Sequence, residues 1–134
     1  MSAFSFPVRI YWEDTDAGGV VYHANYVRFM ERARTEWLRA QGIDQLALRE
    51  TTSLGFVVRE MHLDFLRPAR LDDELQVTVD VKERRSASML FGQEIVCGGT
   101  TLLRAAVRVA CVNLVTMRPA QIPAGLFLQA FPLT

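Results

Sequence analysis

Apolar and polar positions along the chain fall into blocks that predict one strand, a long helix and then four consecutive strands. In the first block, over residues 4–12, Val8, Ile10 and Trp12 recur on one face, and Pro7 suits an edge strand. The pattern breaks over 13–19, where Ala17-Gly18-Gly19 gives the backbone freedom for a tight turn. Tyr26, Phe29, Met30, Ala33 and Trp37 then recur at helical spacing, which predicts an amphipathic helix over 26–41. Asn25 is its expected N-cap and Gly42 its expected stop. A short helix over 43–50 has weaker support, and a turn over 51–55 follows.

The second half alternates with a period of two. Over 55–66, Val57, Met61, Leu63 and Phe65 are expected on one face. Leu75, Val77, Val79 and Val81 alternate with Gln76, Thr78, Asp80 and Lys82 in a half-buried strand. Residues 83–86 lead to a strand over 87–97. Gly98-Gly99 turns the chain into a last strand over 100–116, apolar on both sides except at Arg108 and Asn113. Consecutive strands with short links favour an antiparallel sheet, so the expected class is α+β, with the sheet wrapped around one long helix.

Composition narrows the picture without redirecting it. The 134 residues fit one domain, 1–134, with 119–134 as an apolar C-terminal extension. No side chain after Arg118 is charged, and Ile122, Leu126, Phe127, Leu128 and Phe131 are interrupted by prolines. Fifteen basic residues balance fifteen acidic ones, so no global field points to nucleic acid or an anionic membrane. Cys97 and Cys111 lie in apolar strand segments, which favours free thiols in a reducing cytosol over a bridge or a metal site. No apolar run is long enough for a membrane span, and the N-terminus lacks a signal-peptide pattern.

Candidate chemistry concentrates between the first strand and the helix, in YWEDTDAGGVVYHANY (11–26). Asp16 can attack a carbonyl or activate water, or it can simply bond local amides in an Asx-turn. Composition alone favours the Asx-turn. Asp14 is expected to brace the loop, and Glu13 to be solvated. His23 stands just before the predicted helix, whose free amides favour developing negative charge. Glu31 is a further candidate base, although its spacing from Arg34 suggests a surface ion pair. His62, between Glu60 and Asp64, reads as a surface histidine. No serine occupies a nucleophile elbow, and no compact ligand set for a metal is apparent.

Three segments together carry a resemblance: YWEDTDAGGVVYHANYVRFMERARTEWLR (11–39), FVVREMHLDFLRPARLDDEL (56–75) and LLRAAVRVACVNLVTMRP (102–119). Over roughly 8–119 the chain resembles the hotdog-fold acyl-CoA thioesterases. Within them it is most similar to the branch associated with the Tol–Pal envelope system and related to 4-hydroxybenzoyl-CoA thioesterase. The resemblance implies hydrolysis of an acyl-CoA thioester, with coenzyme A as part of the substrate and no separate cofactor or metal. It assigns Asp16 as nucleophile or general base, and His23 with the helix N-terminus as the group that orients and polarises the carbonyl. This reverses the balance at Asp16. Trp12, Gly19, Val21, Tyr22, Asn25 and Tyr26 would line the substrate site. Trp12 stands where relatives often have tyrosine, which keeps an aromatic wall but removes a hydroxyl. Arg59, Arg67, Arg84, Arg85 and Arg104 are candidate phosphate contacts.

The resemblance further implies a dimer with sites at the subunit interface, pairing into tetramers. It implies a cytoplasmic location, with a peripheral position at the inner membrane as an alternative. Acyl carrier protein and envelope-biogenesis proteins are further candidate partners. Three other functions stand beside acyl-CoA hydrolysis: an acyl carrier protein thioesterase, a hotdog hydratase or dehydratase, and a non-catalytic envelope-associated binding module.

Overall fold

The computed structural model describes residues 4–126. Its elements run β1 (Phe4–Arg9), α1 (His23–Ala40), α2 (Gln45–Thr52), β2 (Leu54–Phe65), β3 (Glu74–Arg84), β4 (Ser88–Cys97), β5 (Thr100–Asn113) and β6 (Arg118–Pro119), with a short 3-10 turn at Trp12–Asp14. The strands form one antiparallel sheet in the order β1-β3-β4-β5-β2, and β6 pairs with β5. Phe29, Met30, Ala33, Trp37 and Leu38 of α1 are buried with Leu75, Val77 and Val79 of β3, Met89, Phe91 and Ile95 of β4, and Leu103, Val107 and Val109 of β5. One long helix lies against an antiparallel sheet. This is the α+β hotdog fold.

Three local departures from the predicted pattern have physical causes. Trp12 does not share a face with Val8 and Ile10. The chain leaves β1 before it, enters the 3-10 turn, and leaves Trp12 78% exposed. Helix α1 starts at His23, three residues earlier than expected. Its N-cap is Tyr22, without a side-chain cap, so Asn25 lies inside the first turn and is not the cap. In β2 the pairing with β5 shifts between Val58 and Glu60. That irregularity flips the alternation, so Phe56 rather than Val57 joins Met61 and Leu63 against the core.

Other boundaries follow local chemistry. Gly42, at φ 82°, ends α1 as expected. Asp44 caps α2 by accepting from the amides of Leu46 and Ala47. Asn113 ends β5 by accepting from the amides of Val115 and Thr116. Of the tail, Ile122 is buried in the core, while Phe127, Leu128 and Phe131 lie outside the described residues.

The link from β2 to β3 matters most for function. These consecutive strands are not neighbours: β2 lies at the edge beside β5, and β3 pairs with β1. Residues 66–73 must therefore cross the end of the sheet. The crossing meets the chain just after β1, through Ile10 N–H to the Asp73 carbonyl (2.9 Å) and Asp72 N–H to the Ile10 carbonyl (3.0 Å). Ala69, at its centre, is fully buried.

Candidate active site

Residues 15–21 form a small hairpin that sits on this crossing. Thr15 bridges Val21, and Val20 bridges Arg70. The Asp16 amide donates to the Val20 carbonyl at 2.9 Å, and Gly19 N–H donates to the Asp16 carbonyl at 3.0 Å. Gly19 is at φ 79°, a conformation that explains the glycine there. The Gly18 amide donates to Asp16 Oδ1 at 2.8 Å. The Asx-turn expected from composition is thus present, but it uses only one carboxylate oxygen. Oδ2 makes no hydrogen bond among the described residues, and Asp16 is exposed. A carboxylate held on one oxygen and open on the other is oriented and still available to react.

The near end of the loop is fixed by Asp14. Its carboxylate accepts from Tyr11 N–H at 2.9 Å and from Asn25 Nδ2 at 3.2 Å, and its carbonyl accepts from Tyr22 N–H at 2.9 Å. Asp14 braces the loop, as expected, and buried Asn25 serves it from inside the helix. His23 is the first residue of α1, exposed, with its ring centroid 4.6 Å from that of Tyr22. The first amides of any helix lack intrahelical acceptors and carry partial positive charge. Neither the first turn of α1 nor its N-cap residue is acidic, so no carboxylate there competes for that field.

Tyr26 links helix and loop. It is 4% exposed, and its hydroxyl accepts from Ala69 N–H at 2.9 Å. Burial raises its pKa above the ordinary value, the Ala69 bond opposes that, and the charges of Asp73 and Asp16 add to the rise.

The other candidate residues are dispersed. Val21 is buried, and Trp12 and Tyr22 are exposed beside the loop. Arg59 stands at the β2 irregularity and Arg67 on the crossing, both exposed. Arg85 pairs with Glu83 and Arg104 with Glu94, at the surface. Arg84 ends β3, with a buried Nε that has no hydrogen-bond partner among the described residues. The structure does not gather these five into one anion site. Arg70, across the bridge from Val20, is closer to the loop and was missed. Its signal was the RPAR sequence between two predicted strands, which reads only as a turn until the crossing is known.

The expected Glu31–Arg34 surface pair is corrected. Arg34 is 7% exposed, and its Nη1 donates to Gln93 Oε1 at 2.9 Å. Burial lowers its pKa, against the pull of Glu31. Gln93 Nε2 in turn donates to the carbonyls of Met30 and Thr78. A cleft of about 420 Å³ opens beside Arg34, walled by Leu38, Phe56, Met89, Phe91 and Val109, and it does not include Asp16 or His23. Among the described residues no cluster of three His, Cys, Asp or Glu could hold a metal ion, and no helix is long and apolar enough to cross a membrane.

Comparison with known proteins follows the same geometry. Residues 10–130 match the family model of the thioesterase-like superfamily. Acyl-CoA thioesterase YbgC of Haemophilus influenzae is 49% identical over 91% of this chain and 90% of its own length. Acyl-CoA thioester hydrolase YbgC of Escherichia coli is 50% identical over 90% of each chain. A crystal structure of a probable thioesterase from Bartonella henselae superposes with a TM-score of 0.87 at 36% identity, covering 91% of this chain and all of that one.

Proposed function

The chain belongs to the thioesterase-like superfamily, and from that membership and the loop geometry we propose that it hydrolyses acyl-CoA thioesters on Asp16. The products are a carboxylic acid and free coenzyme A. The observation that carries the assignment of Asp16 is its carboxylate, held through Oδ1 at the tip of a braced hairpin beside the start of α1, with Oδ2 open.

The thioester carbonyl points to the start of α1. In the general-base route, Asp16 takes a proton from water as the water oxygen adds to the carbonyl carbon. The amides at the helix start and His23 stabilise the oxyanion. The C–S bond then breaks, and the proton passes to the departing thiolate. In the nucleophilic route, Oδ2 adds to the carbon, the thiolate leaves, and water attacks Cγ of Asp16 to split the mixed anhydride. A single turnover in heavy-oxygen water separates the two, because only the nucleophilic route moves the label into Asp16.

The site is completed by a second copy of the chain. Asp16 and His23 are exposed in one protomer, and Val58, Phe65 and Leu66 on and just beyond the edge strand β2 are exposed apolar residues suited to an interface. Dimers pair into tetramers in this reading. Arg67 and Arg70, on the crossing, are better placed for the coenzyme A phosphates than Arg85 and Arg104, which are already paired. The free thiols Cys97 and Cys111 support a cytoplasmic location.

The test is a thiol-release screen across acyl-CoAs and acyl carrier protein thioesters, with Asp16→Asn and His23→Ala as controls and product analysis by mass. Acid plus free thiol from acyl-CoA supports the reading. Retained thioester with altered unsaturation means dehydratase chemistry, turnover confined to acyl carrier protein means a different carrier, and no turnover with partner capture means a binding module.

A further inference from the structure

We propose that Tyr26 is a positioning residue for Asp16, its hydroxyl pinning the 66–73 crossing, and through it the hairpin, to the first turn of α1. The proposal rests on the assignment of Asp16 as the reacting carboxylate. Two anchors hold the loop. Asp14, with Asn25 and Tyr11, fixes its near end. The tip at Asp16 is held from the other side, by bonds that run in series. Ala69 N–H donates to Tyr26 Oη at 2.9 Å, the Ala69 carbonyl accepts from Val21 N–H at 2.9 Å, and the Val20 carbonyl accepts from Asp16 N–H at 2.9 Å.

The helix end of this series is rigid. Tyr26 is buried, and its ring meets Phe29 and Phe65 edge-on, with centroids 6.3 Å and 5.8 Å apart. Tyr26 also lies one helical turn beyond His23, so one turn of α1 carries both the candidate oxyanion group and the anchor for the carboxylate. The distance between the two reacting groups is thereby referred to a single rigid element, the arrangement that proximity catalysis requires. Loss of the hydroxyl leaves the ring in place and the Ala69 amide buried without an acceptor.

The experiment compares Tyr26→Phe with wild type and with Phe29→Leu, which disturbs the same ring packing but keeps the hydroxyl. Tyr26→Phe is expected to lower kcat about 10-fold with KM for acyl-CoA within about twofold. Hydrogen exchange at the Val21 and Asp16 amides should accelerate while β3 amides stay protected. Phe29→Leu is expected to lower Tm and to lower kcat clearly less than Tyr26→Phe does. Wild-type kcat and wild-type exchange at Val21 and Asp16 in Tyr26→Phe overturn the proposal, as does an equal kcat loss in Phe29→Leu. Asp16→Asn is measured in parallel: retained activity there sinks the Asp16 assignment, while the exchange data still judge the Tyr26 anchor. If Tyr26→Phe does not fold, exchange in the wild-type protein decides. Ala69, Val21 and Asp16 should open in one cooperative step, and independent opening contradicts the proposal.

Discussion

The two halves of α1 do different work. Its first turn meets a loop held by backbone hydrogen bonds and by the side chains of Asp14, Asn25 and Tyr26, with Asp16 and His23 exposed. From Phe29 onward it buries Met30, Ala33, Trp37 and Leu38 against the sheet, with Trp37 and Phe91 in edge contact at 5.4 Å. Even Arg34, one of the charged residues of that half, is buried and bonded to Gln93. Chemistry requires a carboxylate that is oriented yet reachable, which backbone bonds and glycines supply. Stability requires area removed from water, which the later turns supply. The difference predicts that substitutions in the two halves will separate activity from stability.

Trp37→Ala should produce the largest loss of stability, about 3–5 kcal/mol by denaturant unfolding. The kcat of its folded fraction should stay near wild type. A kcat that falls in proportion would break the separation. His23→Ala should lower kcat about 100-fold with Tm within a degree or two of wild type, if it stabilises the oxyanion. Gly18→Ala sharpens the point, because a Cβ there would meet Asp16 Oδ1 at 3.2 Å. It should cost about 10-fold in kcat by tilting the carboxylate, with little change in unfolding.

The smallest effect is alkaline. Burial raises the Cys111 thiol pKa above its ordinary 9.0. The unfolded chain therefore loses that proton first, and the associated stability, complete below about pH 9, declines as pH rises through the folded value. Cys111→Ala should flatten that limb in a pH series of unfolding curves and leave the activity profile near neutrality unchanged.

Much of this division was legible in the sequence. The helical spacing of Phe29, Met30, Ala33 and Trp37, and the alternation of Leu75, Val77 and Val79, report burial directly, because periodicity is a local signal. The polar loop stood out as well, since three carboxylates, two glycines and a histidine have no core to fill. What was hidden depends on topology. The β2–β3 crossing, the partnership of Tyr26 with Ala69, and the burial of Arg34 on Gln93, 59 residues away, arise only when strands pair out of sequence order. The irregularity at Arg59 was hidden for a related reason: a register shift leaves a run of apolar residues that still alternates acceptably on paper.

The central claim is that Asp16 does chemistry on a loop that contributes little to the fold. The most direct measurement is kcat of Asp16→Asn for thiol release from the best acyl-CoA, read beside its unfolding curve. A fall of about 10²–10⁴-fold in kcat with the midpoint of unfolding unchanged is predicted. Turnover at the wild-type rate in a folded Asp16→Asn protein would contradict the account.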